Sequence, residues 1–311
     1  MMKDRIYSAM LILGVLLCAF LLRYFEAIVF DAFWLGVTLV AVYEMIKISK
    51  RRGNTTFELI NYAYPIAFLA LVLVAKFLDM QFYELVIIEL SLLIAVSIIL
   101  LIIPFCFKQK IVYDEEKFDS PRDYLMNKSL STLNIIVYPS ILLSLMFLLN
   151  HIVDLGIVGA GQNNIIIGMF AILLTFAISM ATDTFAMLGG MLFKGRKLCP
   201  LISPNKTVSG FITGVIFGVL ASMLMYGIFT AVDATNALFT TAKVGLWQFA
   251  LVGLFGALAT SAGDLFASYL KRRAFVKDFG RAFPGHGGFM DRLNGVCFCL
   301  VFVLLFFIIF F

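Results

Sequence analysis

The chain has 311 residues, 62% hydrophobic and 14% charged, with mean hydropathy +1.01 and a formal net charge of +5. A globular domain is about 45–50% apolar and about 25% charged, so these values exclude an ordinary soluble protein and indicate a polytopic membrane protein. Apolar runs of about 20 residues without two-residue alternation select helices over a closed barrel.

Taken in chain order, Lys3 and Arg5 precede the apolar run Tyr7 to Leu22. This resembles the start of a signal peptide, but no small-x-small cleavage site follows, so an uncleaved first helix is expected. Further runs fall at about Ile28 to Ile46, Leu59 to Leu78, Phe82 to Ile103, Leu130 to His151, Ile165 to Phe193, Val208 to Phe229, Val244 to Leu270 and Leu293 to Phe311. Between them lie a basic loop (Lys47 to Asn54), the longest polar segment (Lys108 to Lys128), a Gly- and Asn-containing turn (Gly156 to Asn164), and the basic stretches Lys194 to Thr207 and Lys271 to Arg292. The fold class expected is therefore an all-α polytopic membrane protein with about nine transmembrane helices. With the N-terminus in the cytoplasm and the C-terminus outside, all but Arg23, Lys76 and Lys243 of the 24 basic residues fall on the inner side, as the positive-inside bias requires. The five cysteines lie in or beside apolar runs and read as small apolar residues, without a metal or disulfide pattern.

Charge, glycine and histidine concentrate between Ser268 and Asn294, in a chain that is otherwise hydrocarbon. Asp264, Ser268 and Lys271 follow at i, i+4, i+7 and share one helix face. Asp183 stands at similar or greater depth in another span, with Gly189 and Gly190 after it to admit a neighbouring helix. Carboxylates below a membrane surface are costly, and they face a cavity or a partner; the plain alternative is an interhelical hydrogen bond or ion pair. In Pro284 to Arg292 the glycines, Gly287 and Gly288 among them, let backbone N–H groups converge on an anion. Asp291 adds a metal-seeking carboxylate, Arg292 a phosphate-seeking fork, and Lys277 and Asp278 sit just upstream. Acidic side chains with a single histidine and no cysteine suit Mg²⁺ better than zinc. His286 alone is equally a loop histidine bonded to a carbonyl. Ser203, Lys206 and Thr207 are expected to open a helix and form an anion site there; an ordinary N-cap with inner-side lysines fits as well. Glu44 is expected to reach the surface beside Lys47, and Glu84, Glu89, His151, Asp154 and Asp233 to lie on the outer side as solvated or interhelical groups. Neither GxxxxGK[ST] nor GxGxxG is present, so the common soluble nucleotide-binding folds are excluded.

The run S-Y-L-K-R-R-A-F-V-K-D-F-G-R-A-F-P-G-H-G-G-F-M-D-R-L-N, preceded by Gly263-Asp264, resembles the signature of the phosphatidate cytidylyltransferases (CDP-diacylglycerol synthases). Asp183 to Gly190, Gly195 to Leu198 and Ser203 to Gly210 are similar to a second stretch of that family, and Tyr43-Glu44 to its early helices. The resemblance implies transfer of CMP from CTP to phosphatidate, giving CDP-diacylglycerol and diphosphate. It implies a catalytic group of Asp264, Asp291, Lys271, Lys277, Asp278, His286 and Arg292. Substrate would be bound by Ser203, Lys206, Thr207, Ser268, Arg272, Gly287, Gly288 and Asp183, and Mg²⁺ by Asp264, Asp291 and Asp278, with room for a second, monovalent cation. The expected partners are CTP, phosphatidate and membrane lipids, not nucleic acid, and a homodimer is admitted. The expected location is the plasma membrane, multi-pass, with the site on the cytoplasmic side. One integral membrane domain (1–311) is expected, residues 1–160 giving N-terminal helices and 161–311 the catalytic helices and loops. The family pattern ends D-R-x-D-S where this chain has Asp291-Arg292-Leu293-Asn294-Gly295. That departure leaves open a relative acting on another lipid phosphate or phosphorylating a lipid alcohol. A non-enzymatic lipid transporter is the reading from a different class, disfavoured because the polar groups gather at one face only.

Overall fold

The computed structural model describes residues 14, 20–21, 23–24, 26–106, 113–114, 116–159, 164–283 and 287–311. Among them the helices are α1 (Ala27–Arg51), α2 (Glu58–Phe77), α3 (Phe82–Cys106), α4 (Pro121–Ile135), α5 (Leu142–Asn150), α6 (Asn164–Phe193), α7 (Val208–Phe229), α8 (Asp233–Thr241), α9 (Leu246–Arg273) and α10 (Met290–Phe310). A π-helical turn, Ile136–Ile141, joins α4 to α5, and together they form one span, Pro121–Asn150. Eight helical segments among the described residues are long and apolar enough to cross a membrane. They account for all the expected spans except the first, Tyr7 to Leu22, which lies almost wholly outside the described residues. The polar segment after α3 is shorter than expected, because its end is already helix. Ser120 caps α4 by accepting from the Asp123 N–H at 3.1 Å and donating to the Asp123 carboxylate at 2.6 Å, with Pro121 at the first helical position.

The one departure from an all-helical chain among the described residues is a small antiparallel hairpin, β1 (Lys197–Cys199) and β2 (Ser203–Thr207). Ser203 to Thr207 therefore run as an extended strand instead of opening a helix. Only Thr207 plays the expected terminal role, its hydroxyl accepting from the Gly210 N–H at 3.1 Å to cap α7.

Two kinds of packing fix the bundle. At one end Phe170 is surrounded by Phe229, Phe239, Phe249 and Phe307, with ring centroids 4.7 to 5.9 Å apart. Such pairs add to the burial of large apolar surface. Toward the other end, small residues bring α6, α7 and α9 together. Gly210, Gly214 and Gly218 recur every fourth residue on α7; a β-carbon at Gly214 would lie 2.8 Å from the Thr182 carbonyl oxygen, and one at Gly218 2.7 Å from Ala257 of α9. Close backbone approach through small residues is the main device for joining helices in lipid.

A buried polar knot ties the N-terminal helices together away from this region. His151 is fully buried, with Nε2 2.7 Å from Asp31 and Nδ1 2.7 Å from Asp154. Asn150 donates to Asp31 at 2.7 Å, and Lys76 pairs with Asp154 at 2.9 Å. His151 and Asp154 are thus interhelical groups. So is Glu89, which accepts from the Tyr64 hydroxyl at 2.6 Å. The four described cysteines are free, and Cys297 and Cys299 are buried in α10 as apolar residues.

Candidate active site

The close contact of α6, α7 and α9 brings Asp183 of α6 within hydrogen-bonding reach of Asp264 of α9. Lys206, on β2, completes the group by donating to Asp264 at 2.8 Å. The hairpin can deliver that lysine because it is anchored on both sides. Arg272 at the end of α9 donates to the Ile202 carbonyl at 3.2 Å, and Ser209 donates to the Lys194 carbonyl. Asp183, Asp264 and Lys206 sit at the head of a cavity of about 580 Å³. Thr207, Asn205 and Ser261 add polar groups to its wall, whereas Ala186, Met187, Met191 and Phe211 supply an apolar side. Met187 and Met191 are also exposed on the outer surface of α6, so this apolar side reaches the edge of the bundle.

The glycine-rich loop after α9 is built around two of the protein's own carboxylates. Asp291, its side chain 3% exposed, accepts from Lys271 at 2.8 Å on Oδ1. Its Oδ2 accepts from the Phe279 and Gly288 N–H groups at 2.8 and 2.9 Å. Glu44 of α1 accepts from Phe289 N–H at 3.1 Å and Met290 N–H at 2.8 Å. Gly280 and Gly288 lie directly against the Glu44 carboxylate, leaving no room for a β-carbon. Gly287 has φ +82° and closes the loop through its carbonyl, which accepts from Phe283 N–H at 2.8 Å. The expectation that the Gly288 N–H would be free for a bound anion is thus corrected, because Asp291 already occupies it. The expectation for Glu44 is corrected as well: it turns inward to the loop, while the Lys47 ammonium stands 5.9 Å from the Tyr43 ring.

Asp183, Asp264, Lys206 and Thr207 meet at the first cavity. Arg292 is near enough to act electrostatically on Asp183. Lys271 and Asp291 pair in the loop, and Arg272 braces the hairpin. Ser203 begins β2, Ser268 is half-buried on α9, and Lys277 and Asp278 are exposed in the loop. His286 lies outside the described residues. No three His, Cys, Asp or Glu side chains gather among the described residues, so Asp264, Asp291 and Asp278 do not form one cluster. The physical reason is that Asp291 is consumed by Lys271 and the loop backbone, while Asp278 faces outward. The pair the fold does assemble is Asp183 with Asp264, two hard oxygen donors of the kind Mg²⁺ prefers. Glu44 is the residue that sequence reasoning undervalued. Its signal was a carboxylate seven residues inside the end of an apolar helix, which in a membrane demands a partner.

Comparison with known proteins bears on this arrangement. A family model described as "Cytidylyltransferase family" matches residues 3–310. Phosphatidate cytidylyltransferase of Rickettsia felis is 42% identical over 125 residues, 40% of this chain and 53% of that protein. The Rickettsia prowazekii protein of the same name is 41% identical over 125 residues, again 40% of this chain and 53% of that one. The Staphylococcus saprophyticus protein of that name is 36% identical over 133 residues, 43% of this chain and 47% of its own length. The chain thus spans about half the length of the curated relatives it matches.

Proposed function

The chain belongs to the cytidylyltransferase family, and from that premise we propose that it transfers CMP from CTP to phosphatidate, forming CDP-diacylglycerol and diphosphate. The observation that carries the reading is the Asp183–Asp264–Lys206 group at the head of a cavity with one polar and one apolar side. A phosphate oxygen of phosphatidate attacks the α-phosphorus of CTP, and the bond from that phosphorus to the bridging oxygen of the β-phosphate breaks. The electron pair leaves with diphosphate. The attacking phosphate is ionised at neutral pH, so no general base is required. Lys206 exchanges Asp264 for a nucleotide phosphate, and Arg292 keeps positive charge beside Asp183. Asp183 and Asp264 would hold Mg²⁺, which when bound supplies charge neutralisation for the triphosphate and the leaving diphosphate. Lys271 and Asp291 keep the loop closed over the α9 end. The acyl chains remain in lipid along the Met187 and Met191 side.

The one-sided distribution of basic residues supports a site on the cytoplasmic face, with the N-terminus inside and the C-terminus outside. The test is turnover by the purified protein with CTP, Mg²⁺ and phosphatidate. Diphosphate release is expected. Release of CDP with a lipid alcohol would replace the reading with a lipid kinase, and absence of turnover with any lipid would refute both.

A further inference from the structure

Helix α9 presents a second face to a cavity of its own. Phe266, Tyr269, Leu270 and Arg273 recur at i, i+3, i+4 and i+7, while Asp264, Ser268 and Lys271 form the stripe used by the site above. A two-residue offset at 3.6 residues per turn separates the stripes by about 200° around the helix. The Phe266 stripe lines a different cavity, of about 290 Å³, walled also by the end of α1 and by the π-helical turn.

Arg52 and Arg273 stand at the same end of that cavity. They are close enough to act on each other: burial first, and then the charge of Arg273, hold Arg52 below its ordinary value. Arg273 donates to the Tyr269 hydroxyl at 3.2 Å and lies 5.7 Å from its ring. Among the described residues neither guanidinium pairs with a carboxylate. Two guanidiniums facing one space without a counter-charge make a phosphate-seeking pair. About 10 Å along α9, the length of seven residues, Phe266 meets Tyr138 edge-on with centroids 5.0 Å apart. Among the described residues the buried Tyr138 hydroxyl has no hydrogen-bond partner. Val137, on the same wall, is 52% exposed, so this apolar end reaches the outside of a membrane-spanning segment.

We propose that this cavity binds an anionic phospholipid, its phosphate between Arg52 and Arg273 and its first acyl carbons over Phe266 and Val137. It is a lipid site separate from the reaction cavity, across α9 from Asp264. Phosphate is the chemistry the arginines recognise; the apolar end selects a lipid over free phosphate, which would leave that surface uncovered. Neither Arg52 nor Arg273 lines the reaction cavity, so the reaction itself does not account for this pair.

Delipidated protein would be titrated with phosphatidylglycerol or phosphatidylcholine and the adducts read by native mass spectrometry. Phosphatidylglycerol is used because it is not the substrate of the proposed reaction. The wild type and an Asp264→Asn variant are both expected to bind phosphatidylglycerol in preference to phosphatidylcholine. The Arg52→Gln/Arg273→Gln double variant is expected to lose about tenfold or more in affinity, having lost two charge-assisted contacts. The Arg52→Lys/Arg273→Lys variant, which keeps both charges, is expected to keep the preference for phosphatidylglycerol. If the Gln pair does not fold, the single variants Arg52→Gln and Arg273→Gln carry the test, each expected to bind phosphatidylglycerol several-fold more weakly than wild type. Undiminished binding by the Gln pair, equal binding of both lipids, or displacement of the lipid by inorganic phosphate at comparable concentration would each overturn the proposal. Because Asp264→Asn removes turnover but not this cavity, failure of the proposed reaction would leave the lipid result standing.

Discussion

Removing the Glu44 carboxylate perturbs the glycine-rich loop without touching any residue of the reaction cavity. Glu44 is 4% exposed and accepts two backbone N–H groups, from Phe289 and Met290. A hydrogen bond to a charged group contributes about 1.5–3 kcal/mol, so Glu44→Ala costs the loop about 3 kcal/mol at the lower value. At about 1.4 kcal/mol per tenfold, the ordered loop becomes roughly 100-fold less favoured against its open forms. Glu44→Gln keeps one acceptor and sets an amide N–H against a backbone N–H, so it is expected to be intermediate. The assay is amide hydrogen exchange at Phe289 and Met290, read beside turnover. Protection at those two amides should fall by about two orders of magnitude in Glu44→Ala, while the Phe170 aromatic cluster at the other end of the bundle keeps its protection. Wild-type protection at both amides together with full turnover would refute the reasoning.

Asp264→Ala is expected to abolish turnover while leaving membrane insertion and the thermal midpoint close to wild type, measured by product release and by melting in detergent; full activity would remove Asp264 from the site. Gly295→Ser, which restores the family's hydroxyl, is expected to lower the thermal midpoint. Its β-carbon would lie 2.8 Å from the Thr260 methyl group and 3.0 Å from the Ser179 hydroxyl, and such overpacking costs about 1–3 kcal/mol. Adding Thr260→Ser should recover part of the loss. Burial pushes the His151 imidazole down, but its bonds to Asp154 and Asp31 outweigh this and raise it. Its stabilisation is therefore complete below its ordinary value of 6.5 and is lost as pH rises through the raised folded value. The thermal midpoint should decline as pH rises from 6.5 to that raised value, and His151→Asn should flatten the decline. Asp154, held down at about 2 despite partial burial, adds stability that is lost only as pH falls below its ordinary 3.8.

The spans were legible because lipid imposes one rule on each: length and apolarity suffice to find α1, α2, α3, α6, α7, α9 and α10 within about five residues. The polar start of α4 at Pro121, ahead of the expected Leu130, and the short α8 carry no such signal and were not read. The convergence of Asp183 with Asp264 was legible for a related reason, since a carboxylate deep in a span demands a partner; Gly189 and Gly190 signal a different neighbour, α7, at Thr213 and Gly210. The hairpin Lys197 to Thr207 was hidden, because its strands are three and five residues long and carry no alternation of their own. The direction of the loop's N–H groups was hidden more deeply. Glycines at 280 and 288 signal that backbone approaches something, but whether that is a bound anion or Glu44, 245 residues earlier at its Phe289 contact, is decided by tertiary packing alone.

That separation has a consequence for how the chain is made. At a synthesis rate of about 5–20 residues per second, Glu44 enters the bilayer roughly 12–50 s before the amides that will receive it are translated. Asp31 waits for His151 about half as long. Through that interval each acidic side chain must be protonated, held near the water boundary or sheltered by the insertion machinery. The first membrane helix described here is thus delivered incomplete, and its final position is fixed only when the last helix arrives.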